Sequence, residues 1–308
     1  MTTTLSAPPP SAEPAPSASG VRPTSQAVRT SSWLHRSPRV RLAGLLAAPL
    51  TWLVLAYLGS LAFMFETALW STDSFTGALV RKVTWDNFHT LVTQPVYRRV
   101  ALRTVGVAAP VTVIDAVLAL PMAFFMAKVA TRRWRPLLVV AILTPLWASY
   151  LVKAYAWRTM FSTGGVLDWA VGATPGFGLT AVVVTLSYLW LPFMILPVYA
   201  GFEKLPDSLL EASSDLGASA WRTFRSIALP AVFPALVAGS VFTFSLSLGD
   251  YITVKIVGGR TQLFANVIYD NIGVANNLPF AAAAAVVPVL AIVIYLVLVR
   301  RTGALENL

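Results

Sequence analysis

Residues 169–202 read WAVGATPGFGLTAVVVTLSYLWLPFMILPVYAGF and carry no charged side chain. A helix needs roughly 20 consecutive apolar residues to cross the hydrocarbon core of a bilayer, and the part of this stretch from about residue 177 is long enough. It lacks the two-residue alternation of a barrel strand. A helix also satisfies its own backbone hydrogen bonds without water. The stretch therefore predicts a transmembrane helix.

The composition of the whole chain agrees with a membrane protein. Of 308 residues, 56% are hydrophobic and 12% are charged, whereas a soluble domain has about 25% charged residues. The mean hydropathy is +0.70. The net charge of +10 does not indicate nucleic-acid binding, because the Lys and Arg residues lie beside apolar spans without interleaved aromatics. The chain has no cysteine, which excludes disulfides and Cys-ligated metal sites.

The same criterion predicts an all-α integral membrane protein with about six transmembrane helices. The spans are expected at about residues 42–65, 103–128, 136–157, 177–201, 229–249 and 279–299, within a membrane domain of residues 41–302. Residues 1–40 are rich in Pro, Ala and Ser, so they predict a disordered tail. This tail ends in the basic residues Arg29, His35, Arg36, Arg39 and Arg41. Residues 303–308 are expected to be a short C-terminal tail.

The distribution of basic residues predicts the orientation of the chain. Of the 23 Lys and Arg residues, 14 lie in the N-terminal tail and in residues 128–135, 204–225 and 300–301. Eight lie in the segments that alternate with these, at residues 81–99, 153–158 and 255–260. The positive-inside rule then places both termini in the cytoplasm.

The segment between the fourth and fifth spans differs from the other loops. Residues 203–232 read EKLPDSLLEASSDLGASAWRTFRSIALPAV. Pro206 and Asp207 are helix-start signals, and Gly217 predicts a helix end or a tight turn. The residues alone predict two short helices with an apolar face at residues 203–228, which could be a membrane-surface connector or a docking site for a partner.

This segment resembles the cytoplasmic signature of ABC importer permeases, which is Glu-Ala-Ala, three residues, Gly, nine residues, Ile, one residue and Leu-Pro. The matching positions here are Glu211, Ala212, Ser213, Gly217, Ile227, Leu229 and Pro230, with Ser213 in place of the second Ala. The resemblance implies a type I importer permease fold. It also implies that residues 203–228 form a coupling segment, which docks on a separate ATPase subunit.

Over about residues 40–300 the chain resembles the spermidine/putrescine branch of these permeases. The likeness rests on residues 84–88 (TWDNF), 145–147 (PLW), 153–157 (KAYAW), 247–251 (SLGDY), 258–259 (GG) and 276–284 (NNLPFAAAA). It implies a subunit of the bacterial cytoplasmic membrane that imports a small solute, with a polyamine as the leading candidate. The implied partners are a dimer of ATP-binding subunits, a second permease subunit, an extracytoplasmic solute-binding protein and membrane lipid.

The chain shows no motif for chemistry of its own. It has no Gly-x-x-x-x-Gly-Lys-Ser/Thr loop for nucleotide phosphates. Its two histidines, His35 and His89, lack metal-ligand spacing. We therefore expect no catalytic residue, no metal site and no cofactor in this polypeptide, with ATP and Mg bound by the partner ATPase.

Four residues are candidates for the solute pathway: Asp115, Asp250, Tyr251 and Trp147. Asp115 lies inside the second span, where a carboxylate costs about 2.5–3.5 kcal/mol on insertion scales; it is either a pathway residue or a structural hydrogen-bonding group. Asp250 and Tyr251 could hold an ammonium by charge and cation–π attraction, or be a solvated acid beside an interfacial anchor. Trp147 could line the outer vestibule or belong to the aromatic belt.

Three rival functions remain at this point, and one of them, a non-transporting membrane anchor, would leave the cytoplasmic signature unexplained. A permease of the same family could carry another small solute, such as an inorganic anion, iron or a vitamin. A secondary transporter not driven by ATP would have an inverted repeat with broken helices at matching positions, which the sequence does not show.

Overall fold

The computed structural model of the protein describes residues 38–73 and 76–301. Most of the predicted tail at residues 1–40, with Arg29, His35 and Arg36, and the predicted tail at residues 303–308 lie outside the described residues. The last three residues of the predicted N-terminal tail belong to the first helix, which begins at Pro38.

The described residues form helices almost throughout. The α-helices are α1 (Pro38–Ala68), α2 (Asp86–Thr93), α3 (Pro95–Phe124), α4 (Arg135–Trp147), α5 (Tyr150–Phe161), α6 (Val166–Val171), α7 (Leu179–Lys204), α8 (Asp207–Asp215), α9 (Ala220–Thr223), α10 (Leu229–Gly249), α11 (Ile252–Val257), α12 (Phe264–Gly273) and α13 (Leu278–Arg300). A π-helical turn, π1 (Phe125–Val129), extends α3, and a second, π2 (Phe224–Ala228), joins α9 to α10. Strands β1 (Ser71–Thr72) and β2 (Leu79–Val80) form an antiparallel ribbon.

Within residues 38–73 and 76–301, five continuous helical segments are long and apolar enough to span a membrane. They are Gly44–Ala68, Pro95–Val129, Leu179–Lys204, Ala220–Gly249 and Leu278–Arg300. They overlap the first, second, fourth, fifth and sixth intervals that the sequence predicts, although two begin earlier than expected. In α3 the early start is explained by Pro95, because the first turn of a helix does not need the N–H that proline lacks.

The third predicted span, residues 136–157, is not one continuous helix. It consists of α4 and α5, whose axes differ by 89°. Ala148 and Ser149 between them have extended ψ angles of 142° and 134°. Alone, the 13 residues of α4 reach only about 20 Å, less than the ~30 Å hydrocarbon core. The residue pattern does not mark this break. The position of α5 depends on its contacts with α11 and α7, which are distant in sequence.

Helices α3, α7 and α10 pack pairwise and form the centre of the bundle. One end of the bundle, here called the α8 end, is filled by Ala119, Ala123, Met126, Ala127, Met194, Ile195, Val198, Phe202, Leu205, Ala228 and Val232. The opposite end, called the α11 end, is filled by Val107, Val111, Ala154, Phe161, Ala181, Val182, Leu186, Val254, Ile256, Val257 and Leu263. Helices α3 and α7 therefore run from the α11 end to the α8 end, and α10 returns.

The described chain divides into two units between Leu61 and Ala62, within α1. The first unit contains the earlier part of α1. In the second unit, the end of α1 places Ala68 in a cluster with Leu91, Val100, Phe264, Phe280, Ala283 and Ala284.

Two glycines allow α7 and α10 to approach closely. A Cβ atom at Gly239 of α10 would lie 2.7 Å from Met194 Sδ and 3.1 Å from Met194 Cα. A Cβ atom at Gly201 of α7 would lie 2.7 Å from the Cβ of Ala235. No hydrophobic effect drives helices together within a bilayer, because lipid tails are themselves apolar. Small residues let the helices approach closely and gain dispersion contacts instead.

Replacing Gly239 by leucine should destabilise the bundle by roughly 1–3 kcal/mol, because the side chain would force Met194 and the α7 backbone apart. The measurement is the thermal unfolding midpoint in detergent. Gly106→Leu is the matched control, since a Cβ at Gly106 meets no atom within 4 Å. Equal midpoints for the two variants would contradict the close packing of α7 on α10.

Candidate functional site

The candidate coupling segment forms a helix–turn–helix at the α8 end of the bundle. Its first helix is α8, and its second consists of α9 and π2, which continue into α10. The side chains of Leu210, Phe224 and Ile227 pack against the core of the α8 end. These contacts anchor the segment on α3 and α7, so part of the apolar face predicted from the sequence is directed toward the bundle.

Gly217 ends α8 in a left-handed conformation with φ of 74°. The N–H of Ala218 donates to the carbonyl of Ser213 at 3.1 Å, and the N–H of Gly217 donates to that of Ser214 at 2.8 Å. This is the Schellman arrangement, in which glycine favours the left-handed position. A Cβ at Gly217 would meet no atom within 4 Å in this chain. The backbone conformation thus favours glycine at this position, and the space beside it is open.

Ser213 joins the two helices of the segment. Its side chain is buried, and its hydroxyl is 2.8 Å from the hydroxyl of Thr223 on α9. The alanine that the family signature has at this position could not make this hydrogen bond. Ser219 begins α9 and accepts from the N–H of Arg222 at 3.4 Å.

Lys128, in π1, connects three elements at the start of the segment. Its ammonium donates to the carbonyl of Leu205, which follows α7, at 2.5 Å and to Asp207 of α8 at 2.6 Å. The Lys128 side chain is 9% exposed, and that of Asp207 is 72% exposed. The hydrogen bond from Lys128 and its charge lower the pKa of Asp207 below the usual 3.8. The ion pair is therefore intact above the usual carboxyl pKa, and it is lost only when the pH falls through the lowered pKa of Asp207.

The remaining signature positions face outward or lead into the membrane. Glu211, Ala212 and Gly217 are exposed, Leu229 is half-buried and Pro230 is exposed at the first turn of α10. The apolar side chains of Leu209, Leu216 and Trp221 are exposed on the same segment.

A cavity of about 320 Å³ lies at the α11 end. It is lined by Tyr150, Trp190, Ser245, Leu246, Gly249, Asp250, Tyr251 and Ile252. Two of the four candidate pathway residues, Asp250 and Tyr251, are in this lining. Among the described residues, the lining contains three aromatic side chains and one acidic side chain, and none of its members is Lys, Arg or His.

Asp250 is 7% exposed and is held by three donors. Its carboxylate accepts from the N–H of Thr253 at 2.9 Å, from the Thr253 hydroxyl at 3.1 Å and from the Tyr150 hydroxyl. Tyr150 begins α5, directly after the break in the third span. The network therefore ties the broken span to the turn between α10 and α11.

Tyr251 lies beside a second charged group. Its ring stacks on Tyr269 with a centroid distance of 4.5 Å. The ammonium of Lys255 lies 4.0 Å from the Tyr269 ring centroid and 2.7 Å from Asp270. The acid-and-aromatic pair predicted from the sequence is thus part of a larger aromatic cluster.

The other two candidate pathway residues lie elsewhere. Trp147 is 91% exposed at the end of α4 and is not in the cavity lining. Asp115 is fully buried in α3, and among the described residues neither carboxylate oxygen has a hydrogen-bond partner. Ser187 on α7 is the side chain that interacts with it electrostatically, although its hydroxyl is also without a hydrogen bond. The structure thus does not bring Asp115 and Trp147 together with Asp250 and Tyr251.

Sequence reasoning missed the partners of these residues. No sequence signal marks Tyr150 as the partner of Asp250, and the sequence marks Lys128 only as one of the basic residues at 128–135. The pattern Asp250-x-x-Thr253 is a local helix-start signal that could have located the acceptor role of Asp250. No sequence pattern links Tyr150 to Asp250, because 100 residues separate them. In the part of the chain that the structure describes, no group of His, Asp and Glu could hold a metal ion.

Comparison with known families identifies this arrangement. The family of the binding-protein-dependent transport system inner membrane component matches residues 111–302, more than half of the chain. The chain belongs to this family. The predicted membership in the ABC importer permeases is thereby confirmed.

Similar proteins are ABC transporter permeases. The inner membrane ABC transporter permease protein YdcU of Escherichia coli K12 is 38% identical over 302 residues, which cover 91% of this permease and 95% of that protein. The spermidine/putrescine transport system permease protein PotB of Escherichia coli K12 is 33% identical over 267 residues, with coverages of 83% and 95%.

Solved structures agree on the fold. A crystal structure of a bacterial ABC transporter involved in the import of the acidic polysaccharide alginate matches with a TM-score of 0.68 and 17% identity, over 89% of this permease and 99% of that chain. The predicted class, an all-α type I importer permease, is confirmed. The protein is a multi-pass inner-membrane permease subunit, and such subunits are non-catalytic transport components.

Lys128→Met should loosen α8 more than Asp207→Asn. A buried charged hydrogen bond contributes about 1.5–3 kcal/mol, whereas an ion pair to an exposed carboxylate contributes little because solvent screens it. Amide hydrogen exchange over residues 205–216 should therefore accelerate about tenfold or more in Lys128→Met and less than fivefold in Asp207→Asn. Equal acceleration would mean that the exposed ion pair, and not the Leu205 carbonyl bond, holds the helix.

Proposed function

We propose that this permease subunit imports a small organic cation, a polyamine such as spermidine or putrescine, across the bacterial cytoplasmic membrane by alternating access coupled to a partner ATPase. The observation that carries the choice of cargo is the α11-end cavity, in which Asp250 lies among Tyr150, Trp190 and Tyr251. The name of the PotB relative supports the same class of solute.

The cavity has the chemistry that an alkylammonium group needs. Aromatic faces attract a cation through their quadrupole, by about 0.5–2 kcal/mol for each well-placed ring. The Asp250 carboxylate has about four acceptor sites, and three donors occupy it. An ammonium group could take the remaining site or displace the Tyr150 hydroxyl.

The alternative cargoes fit this cavity less well. An inorganic anion would need positive or N–H donor groups, but the lining has an acidic side chain and no basic one. A secondary transporter not driven by ATP would leave the signature at residues 211–230 without a role.

The coupling part of the proposal concerns the α8 end. We assign Glu211, Ala212, Ser213, Gly217, Ile227, Leu229 and Pro230 to the contact with the ATPase and to its connection with the membrane helices. The exposed side chains of Leu209, Leu216 and Trp221 offer a partner apolar area, and the open space beside Gly217 allows a close approach. ATP and Mg would be bound by the partner, because this chain has no phosphate-binding loop.

The full assembly in this proposal contains this chain, a second permease subunit, two ATP-binding subunits and an extracytoplasmic solute-binding protein. Docking of the ATPase at α8 makes the α8 end cytoplasmic and the α11 end extracytoplasmic. Both termini are then cytoplasmic, as the distribution of basic residues also indicates.

Gly217→Val tests the coupling assignment. The complex would be isolated from its native membrane in mild detergent, its nucleotide-binding subunit identified by mass spectrometry, and ATPase activity and uptake measured in liposomes. Valine is strained at positive φ. We expect this variant to lose the stimulation of ATPase activity by loaded binding protein and to reduce uptake at least tenfold.

The matched control is Gly172→Val, because Gly172 has φ of 71° and equally open surroundings but lies away from the segment. Gly217→Asn should retain more uptake than Gly217→Val, since Asn tolerates the left-handed conformation. Normal coupling in Gly217→Val would contradict the assignment, and isolation of a chain that carries flux without ATP would favour the secondary transporter.

Asp250→Asn tests the cargo site. The amide oxygen can still accept from the Thr253 N–H, and the amide NH2 can donate to the Tyr150 hydroxyl, but the charge is lost. The KM for polyamine uptake should therefore rise about tenfold, as expected for the loss of a charge-assisted bond. Asp86→Asn is the control, because Asp86 is an exposed acid of α2 outside the cavity. An unchanged KM in Asp250→Asn, or an equal rise in the control, would remove the cavity from the solute pathway.

A further inference from the structure

A separate groove of about 460 Å³ lies on the surface at the α8 end, between π1 and the start of α4. Its lining is Phe125, Val129, Ala130, Thr131, Trp134 and Leu138. The groove is open along its length, because Phe125, Val129 and Trp134 are each at least half exposed. Thr131 contributes the one hydroxyl group among otherwise apolar or aromatic side chains.

The turn that closes one end of the groove is strongly basic. It contains Arg132 and Arg133, both exposed. The salt bridges of the described residues involve Lys128 and Lys255, so neither arginine is paired with a carboxylate there. Arg135 is directed inward, and its Nε donates to the carbonyl of Ala130 at 3.1 Å. The turn is therefore held by Arg135 and presents the other two arginines freely.

The order of these groups matches the depth profile of a bilayer. The apolar residues Phe125 and Leu138 belong to the ends of two membrane segments, and the arginines lie beyond them in the connecting turn. Trp134 lies at the boundary, where its amphipathic ring is favoured. A ligand that fills the site needs an apolar tail along the groove and a negative head beside the arginines.

We infer that this groove binds a phospholipid with an anionic headgroup, with its phosphate at Arg132 and Arg133 and an acyl chain along Phe125, Val129 and Leu138. The inference rests on the orientation given in the proposed function, since it requires the α8 end to face the leaflet in which basic side chains meet anionic lipid. An apolar surface of a second protein would fill the groove but leave two arginines without counter-charges.

The groove lies next to the residues that hold the start of the coupling segment, so a bound lipid would affect that segment. Val129 follows Lys128, whose ammonium holds the carbonyl of Leu205 and the carboxylate of Asp207. A lipid in the groove restricts π1 and thereby steadies the start of the coupling segment. It would act without touching that segment.

The test uses the full complex in mild detergent, exchanged into phosphatidylglycerol or phosphatidylcholine with the same acyl chains. Lipid retention is measured by native mass spectrometry, and affinity by a thermal-shift titration. We expect phosphatidylglycerol to bind about tenfold or more tightly than phosphatidylcholine, as two basic side chains near an anionic headgroup predict. The double variant Arg132→Gln/Arg133→Gln should abolish this preference.

Two further variants make the outcome specific. Arg300→Gln/Arg301→Gln removes two charges at the end of α13, outside the groove, and should keep the preference. Val129→Trp fills the groove while retaining both arginines, and should lose retained lipid of either headgroup.

A preference that survives Arg132→Gln/Arg133→Gln, or falls equally in the α13 control, would overturn the inference. Cross-linking of residue 129 to a second permease subunit would assign the groove to a protein interface and overturn it too. Because lipid binding is read without solute or ATP, its failure is distinguishable from a failure of the proposed transport function.

Discussion

The bilayer offers no water to a peptide group, and the rest of this structure depends on that constraint. Each membrane segment satisfies its backbone by helical hydrogen bonds. The one interruption within a predicted span, at Ala148 and Ser149, lies next to Tyr150, whose hydroxyl joins Asp250 and Thr253. Irregular backbone at membrane depth is tolerated where protein or a cavity surrounds it. The break in the third span and the α11-end cavity therefore occur at the same place, because Tyr150 follows the break and lines the cavity.

The contacts between the central helices leave room only for small side chains at some positions. Gly239 on Met194 and Gly201 on Ala235 bring α7 and α10 into direct contact, so the cavity and the coupling segment are confined to the two ends of the bundle. At the α8 end, Lys128 and the core contacts of Leu210 occupy the inward face of the coupling segment. The outward face is left to Leu209, Leu216 and Trp221, which suits a segment that binds a partner on one side and the membrane helices on the other.

The sequence was sufficient where a property is local or averaged over many residues. Twenty apolar residues identify a span whatever lies around them, and a glycine at position 217 indicates its left-handed turn without knowledge of the bundle. It was insufficient for pairings between distant residues. The bend between α4 and α5 depends on the packing of α5 against other helices. The bond from Tyr150 to Asp250 and the bridge from Lys128 to Asp207 join residues that are 100 and 79 positions apart. The two acids also show that residue type does not fix a role: Asp250 accepts three hydrogen bonds in a cavity wall, whereas Asp115 is buried with no hydrogen-bond partner among the described residues.

Helix α10 has one end at the Leu-Pro of the signature and the other at Asp250. Its 21 residues make a rod about 31 Å long, which joins the coupling segment to the cavity without an intervening loop. A tilt of about 10° at the signature end would carry the far end through about 5 Å by rigid-rod geometry. A hydrogen bond cannot lengthen by that distance. The bond from Tyr150 to Asp250 is therefore kept during such a tilt only if α5 moves together with α10. Because α5 leaves α4 at 89° through the extended backbone of Ala148 and Ser149, such a movement of α5 would not be directed along the axis of α4.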